Sequence, residues 1–448
     1  MLFVLPGMES EERDRSRQRE SSMSRQTASN DPTSMTGRAL APDLARGFML
    51  LFIALANTVW YLWAVPSTGA TMHPEPQSVL DTVAQFFTVL AVDMRSYPMF
   101  AFLFGYGMVQ LLRRQEAAGA SPQEVSALLR RRNLWLLVFG FLHCLLLWMG
   151  DILGAYGLAG LVLGWLFLRR RDTTVMVWGV VLMALMATLA VFSLLSLPFL
   201  AGVPVDDAFS MQDMAANVGE SSLVAAAVGR ISAWPLIVLG QGLLGLAVPA
   251  AILFGFWAAR RRFLEEPGRH RRTLTRVAIV GITVGWLGGL PLALQQIGVL
   301  GLDPMQAQML SMPHMFTGVF CGVGYVALIA LVAHRIQEHG RTGGVVVTAL
   351  SATGKRSLSA YLAQSVLCAP LLAAWGAGLA ADMTSWTMFL FAIGVWLVTV
   401  VAAYALERAG RRGPAEVLLR RLAYRRATAA VTPSPGGDDL SPQEHTTP

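Results

Sequence analysis

Two ionisable residues stand in one of the most apolar stretches of the chain, NLWLLVFGFLHCLLLWMGDILGAY, from Asn133 to Tyr156. His143 lies inside a hydrophobic run long enough to cross a bilayer, and Asp151 follows at a Gly150-Asp151 turn before the next run begins. An ionisable side chain at membrane depth is costly unless it is paired or wetted, so its presence points to function. A histidine there can act as general base or acyl carrier, and an aspartate beside it can orient the ring or balance its charge. Their eight-residue step spans about 12 Å on a straight helix, so they can meet only through a bend at Gly150 or a water chain. The plainer alternative makes His143 a buried histidine satisfied by a neighbouring helix, and Asp151 a turn residue or the N-cap of the next helix.

Basic residues supply a second chemistry. Arg46 stands at the mouth of the first apolar run, three residues after Asp43, so the two share a helix face and can pair. Asn57, eleven residues on, projects from nearly the same face. Farther along, TGKRSLSAYLAQSVLC places Lys355 and Arg356 ahead of Ser357, Tyr361, Gln364 and Cys368, which recur at helical steps of four, three and four. Such a stripe could line a cavity open to the cytoplasm and grip an anionic ligand, such as a phosphorylated nucleotide carrier, by charge-assisted hydrogen bonds. The alternatives are an arginine that only sets topology and polar residues that only join helices. No GxxxxGK[ST], HExxH, GxSxG or CxxC is present, so ATP-driven, zinc and serine-hydrolase readings lose their usual support. Cys144, Cys321 and Cys368 share no metal-type spacing and read as small buried hydrophobes, with no metal site implied.

The elements that must position these residues are membrane helices. Hydrophobic residues make up 54% of the 448 and charged residues only 14%, about half of what a soluble surface carries. The +7 charge does not imply nucleic acid, because the basic residues flank apolar runs rather than forming a continuous solvated face. We read an all-α, polytopic bundle of ten spans: residues 44–64, 97–112, 134–149, 152–168, 174–197, 231–258, a seventh ending near 298, 316–333, 356–375 and 386–406. Residues 79–92 are too few to cross and read as an interfacial helix. Gly157, Gly160 and Gly164 lie along one stripe of span four, where a neighbouring backbone can approach closely. The 342–355 stretch reads as an inner linker. Residues 1–37 read as a disordered cytoplasmic tail and 409–448 as a cytoplasmic tail that is basic and then disordered, around a membrane domain of 38–408. Of the 35 basic residues, all but Arg95 and Arg230 fall on the side of the termini, which places both termini in the cytoplasm.

The pieces LAPDLARGFMLLFIALAN, FAFLFGYGM, RRRNLWLLVFGFLHCLLLWMGDILGAYGLAG and TGKRSLSAYLAQSVL, in this order, resemble the YeiB-like bacterial membrane proteins, a domain of unknown function numbered 418. The pieces cover spans one to four and nine. The resemblance extends distantly to transmembrane acyltransferases of the heparan glucosaminide acetyltransferase type, whose first span carries a similar Arg-Gly and a downstream Asn, matched here by Arg46, Gly47 and Asn57. Those enzymes pass acetyl from cytosolic acetyl coenzyme A to a sugar amine on the far side through a histidine in the first outer loop. The corresponding loop here holds only His73, in a different local sequence, whereas His143 lies in the YeiB-like motif.

These readings converge on a multi-pass protein of the bacterial cytoplasmic (inner) membrane. In it, an acyl group would pass from a cytoplasmic donor, with acyl coenzyme A as co-substrate and no bound cofactor, to an envelope glycan or lipid acceptor. Arg46, Asn57, Lys355, Arg356, Ser357, Tyr361 and Gln364 would serve the donor, and His143 with Asp151 the chemistry. The competing expectations are a secondary transporter with a His/Asp/Arg relay, and a non-catalytic membrane protein.

Overall fold

The computed structural model describes residues 39–67, 70–203 and 217–424. The first tail, the second tail beyond 424, and residues 68–69 and 204–216 lie outside them. The described chain is helical, with no β-strand: α1 (Leu40–Thr58), α2 (Val79–Ala91), α3 (Ser96–Ala117), α4 (Pro122–Leu146), α5 (Ile152–Phe167), α6 (Asp172–Ser196), α7 (Leu223–Leu239), α8 (Ala247–Arg260), α9 (Arg271–Gln296), α10 (Pro304–Met309), α11 (Ser311–Glu338), α12 (Val345–Lys355), α13 (Ser357–Leu372), α14 (Ser385–Arg408) and α15 (Pro414–Ala423).

Among the described residues, seven helical stretches are long and apolar enough to cross a bilayer, and they expose apolar side chains. On α6, Val177, Trp178, Val181, Leu185 and Phe192 are exposed, and on α14, Leu390, Leu397 and Val401. Contiguous apolar surface on this scale suits hydrocarbon rather than water. Polarity is inverted on α2 as well, where Asp81, Gln85 and Thr88 are buried while Val79, Leu80 and Val83 face outward. The three remaining expected spans are the unusual ones. α4 carries Arg130, Arg131 and Arg132 in its first half, and α5 and α13 have 16 residues each, roughly 24 Å of helix against a hydrocarbon core of about 30 Å. They hold the residues singled out above.

Two expected elements differ. Span six is not one helix over 231–258. It breaks between α7 and α8 at a π turn, Gly240–Leu244, and Leu246 takes φ 57°. Gly240, Gly242 and Gly245 weaken the helix there, and Gly242 lets α5 come so close that a Cβ would stand 2.7 Å from the Ala155 carbonyl. The inner linker is itself a helix, α12, packed antiparallel on α1: Gly47 meets Leu350 and Gly354, while Gly354 meets Asp43. The chain reverses at Arg356 into α13.

Arg95 and Arg230, the two basic residues set apart by the topology, are both buried. Arg95 donates to the carbonyls of Asp93 and Gly285 and contacts the His314 ring, and Arg230 donates to the carbonyls of Cys144 and Leu145. Arg95 ties the α2–α3 junction to α9 and α11, and Arg230 ties α7 to the end of α4.

Candidate functional site

α4 and α5 form a tight antiparallel hairpin because glycines remove the side chains between them. A Cβ on Gly157 would stand 2.8 Å from the Asn133 carbonyl, so the expected small-residue stripe does bring two backbones together. α4 ends at Leu146, and the turn through Asp151 folds the carboxylate back over the last helical turn. Asp151 Oδ1 then lies 3.0 Å from His143 Nδ1, so the bend extends over the whole turn rather than at Gly150 alone. Asp151 is also the N-cap of α5, accepting from the amides of Leu153 and Gly154 at 3.1 and 2.7 Å. One carboxylate thus contacts the imidazole and caps α5, held by three donors.

The other face of the imidazole meets α13. His143 Nε2 lies 2.8 Å from Ser365 Oγ, and the Tyr361 ring packs at a centroid distance of 5.2 Å. His143, Asp151 and Ser365 are all buried, at 3%, 0% and 7% exposure. With the carboxylate accepting from Nδ1, the Nε2 lone pair of the neutral ring faces the serine hydroxyl. The polar stripe of the sequence runs through Gln364 and leaves Ser365 unmarked. Gln364 instead donates to the Leu50 carbonyl, joining α13 to α1.

Below Tyr361 is a cavity of about 310 Å³ among α1, α3, α4, α5, α13 and α15. Its walls include Arg46, Arg114, Arg132, Lys355, Arg412 and Arg420 against one carboxylate, Glu416. The buried side chains of Leu153, Tyr156 and Tyr361 line it, as does α15 through Glu416, Leu419 and Arg420. α15 occupies the start of the expected basic tail and is anchored by Glu416, which accepts from the Leu358 and Ser359 amides and so caps α13, and by Arg131, which donates to the Ala423 carbonyl. Arg46 pairs with Asp43 at 3.4 Å as expected and also reaches the Leu103 carbonyl. Ser357 and Lys355 line the cavity, with Lys355 2.6 Å from Glu407.

Arg356 does not line it. Its guanidinium is 1% exposed and engaged by Glu407 and by the carbonyls of Ala352 and Arg411, which braces the reversal between α12 and α13. Asn57 does not line it either, and His73 lies elsewhere, 3.0 Å from Asp93. The structure thus brings together Arg46, Lys355, Ser357 and Tyr361 at the cavity and His143 with Asp151 behind it. Arg114, Arg132, Arg412 and Arg420 read as topological charge from sequence, and only the folded chain shows that they share one chamber.

Fold and site together define an all-helical, multi-pass membrane protein with a buried ionisable cluster above a basic cavity. Residues 258–426 match a family described as "Protein of unknown function (DUF418)". Over 89% of its length the chain is 28% identical to the uncharacterized protein YxaH of Bacillus subtilis (strain 168), covering 97% of it. Over 88% it is 26% identical to the uncharacterized protein YeiB of Escherichia coli (strain K12), covering 98% of that chain. A segment of 133 residues is 34% identical to an uncharacterized 39.9 kDa protein of Bacillus acidopullulyticus, spanning 30% of this chain and 35% of the other. The chain is thus similar over most of its length to two uncharacterized bacterial proteins, and its 258–426 segment matches the DUF418 family. That segment runs from the end of α8 through α15 and contains the TGKRSLSAYLAQSVL motif, whereas His143 and Asp151 lie ahead of it.

Proposed function

We propose that this protein transfers an acyl group from a cytoplasmic acyl thioester, acyl coenzyme A, to a glycan or lipid acceptor on the far side of the bacterial cytoplasmic membrane. One observation carries the reading: a cavity walled by six basic side chains ends at Tyr361, and His143 with Asp151 stands directly behind that tyrosine. A volume of about 310 Å³ is at the small end of ligand pockets, which run from about 300 to 1,000 Å³. It suits the pantetheine arm of the donor, with the phosphates held at the arginine-rich walls by charge-assisted hydrogen bonds. Lys355 lies at the reversal, and Tyr361 stands four residues up α13 from Ser357, roughly 6 Å of rise toward His143. The distal thioester would thereby approach the imidazole.

Purified protein in lipid vesicles, given acetyl coenzyme A, is expected to release free coenzyme A thiol, and His143→Ala is expected to remove that release while leaving the protein monodisperse. Equal thiol release by the two proteins would reject the assignment of His143. A second reading, secondary transport, draws on the interrupted helices at Met94 and Leu246, both with positive φ, because transporter sites are commonly built where membrane helices break. It predicts a His143-dependent proton-coupled flux without thiol release.

A further inference from the structure

We infer that Ser365 is the acyl-carrying nucleophile, activated by His143 with Asp151 as the orienting group. The inference rests on the acyl-transfer reading and adds a covalent intermediate to it. The geometry is that of an acid–base–nucleophile relay. Asp151 Oδ1 lies 3.0 Å from Nδ1, and Nε2 lies 2.8 Å from Ser365 Oγ, both within the hydrogen-bond reach such a relay needs. A triad is recognised by geometry and roles, not by chain order or a GxSxG motif, so the absence of that motif does not count against it.

Three features assign the nucleophile to serine rather than histidine. The Nε2 lone pair, the only one the ring can offer while Nδ1 is held by Asp151, already faces the serine hydroxyl. Asp151 cannot follow a reoriented ring, because the Leu153 and Gly154 amides fix both of its oxygens. A helical serine ordinarily bonds back to the carbonyl four residues earlier, and here Ser365 is turned toward the imidazole instead. Ser365 also stands one helical turn beyond Tyr361, on the helix that forms the cavity's end.

The steps balance without an outside reagent. His143 Nε2 takes the Ser365 hydroxyl proton as Oγ bonds to the thioester carbonyl carbon. The carbon–sulfur bond then breaks, and the coenzyme A thiolate takes the proton from His143, leaving an ester on Ser365. An acceptor hydroxyl or amine next attacks that ester carbonyl and gives its proton to His143. Oγ leaves and recovers that proton. Tyr361 separates the relay from the cavity and must turn aside for the first step.

The test uses full-length protein in lipid vesicles with radiolabelled acetyl coenzyme A and no acceptor, and in parallel a fluorophosphonate probe, which reacts with activated serines irrespective of donor. Wild type is expected to acquire acetyl label on Ser365, located by peptide mass spectrometry and stable to neutral hydroxylamine. Ser365→Ala is expected to lose the label and about 10³-fold or more of the rate of thiol release. Ser365→Cys should carry a label that neutral hydroxylamine removes, as a thioester requires. Label on His143, or Ser365→Ala releasing thiol at the wild-type rate, overturns the inference and leaves acyl transfer standing. Fluorophosphonate at Ser365 with no thiol release from any short acyl donor keeps the nucleophile and overturns the thioester reading. Neither reagent on Ser365 overturns the inference whatever the thiol release.

Discussion

Gly140→Ala offers a sharp test of whether the α4–α5 contact positions the site. A Cβ built on Gly140 falls 2.7 Å from Gly154 Cα, and closer still to Asp151 Oδ2 and the Gly154 amide nitrogen. Ordinary Cβ contacts begin at about 3.4 Å, so the hairpin must open by roughly 1 Å. The obstacle is largely backbone, so no side-chain rotation relieves it. Overpacking of this kind costs about 1–3 kcal/mol. The same shift carries Asp151 away from His143, and a misplacement of about 1 Å can slow a positioned reaction about 10²-fold. Thermal unfolding in detergent should therefore show a lowered midpoint, and thiol release from acetyl coenzyme A should fall by about that factor. A Gly140→Ala protein with wild-type midpoint and wild-type rate would refute the claim that this contact sets the Asp151–His143 geometry.

Asp151→Asn keeps an N-cap but puts an amide where a carboxylate oxygen now accepts, and should slow transfer about 10²-fold in the same assay with only a small change in unfolding midpoint. Arg356→Lys should lower stability by about 1–3 kcal/mol, because an ammonium cannot replace the fork that joins Glu407 to two carbonyls, while the KM for donor stays unchanged. Arg114→Gln, on the cavity wall, should do the reverse, raising KM about tenfold, equivalent to about 1.4 kcal/mol, with kcat retained. Single cysteines at Gln123 and Arg269 should react with an impermeant thiol reagent only in opened cells, and those at Glu75 and Val299 in intact cells. Labelling of Arg269→Cys from outside would reverse the orientation.

Hydropathy made the bundle legible because each long span is bounded by charge. The expected limits 174–197 and 386–406 compare with helices at Asp172–Ser196 and Ser385–Arg408. Lipid imposes that pattern directly on sequence, one helix at a time. What escaped depends on contacts between distant segments. α12 has 11 residues, too few to register as a span, and is held by the Gly47–Gly354 approach. Arg356 read as a phosphate grip because its partner Glu407 lies 51 residues away, and Arg132 read as topology because the cavity it walls closes only when α15 folds back beneath. Ser365 shares a helical face with Tyr361, four residues earlier, but nothing local distinguishes it from Gln364. Only the His143–Asp151 hairpin makes it chemically distinct. That hairpin was partly readable, since a histidine and an aspartate flanking a glycine turn in an apolar run have few uses.

The most direct measurement of the central claim places labelled acetyl coenzyme A on one face only of oriented proteoliposomes. Supplied on the face that carries α15, it should release thiol and leave acetyl on the protein or on an acceptor at the opposite face, and His143→Ala should lose both signals. Release from the opposite face alone, or no release with any short acyl donor alongside a proton flux that needs His143, would contradict the account.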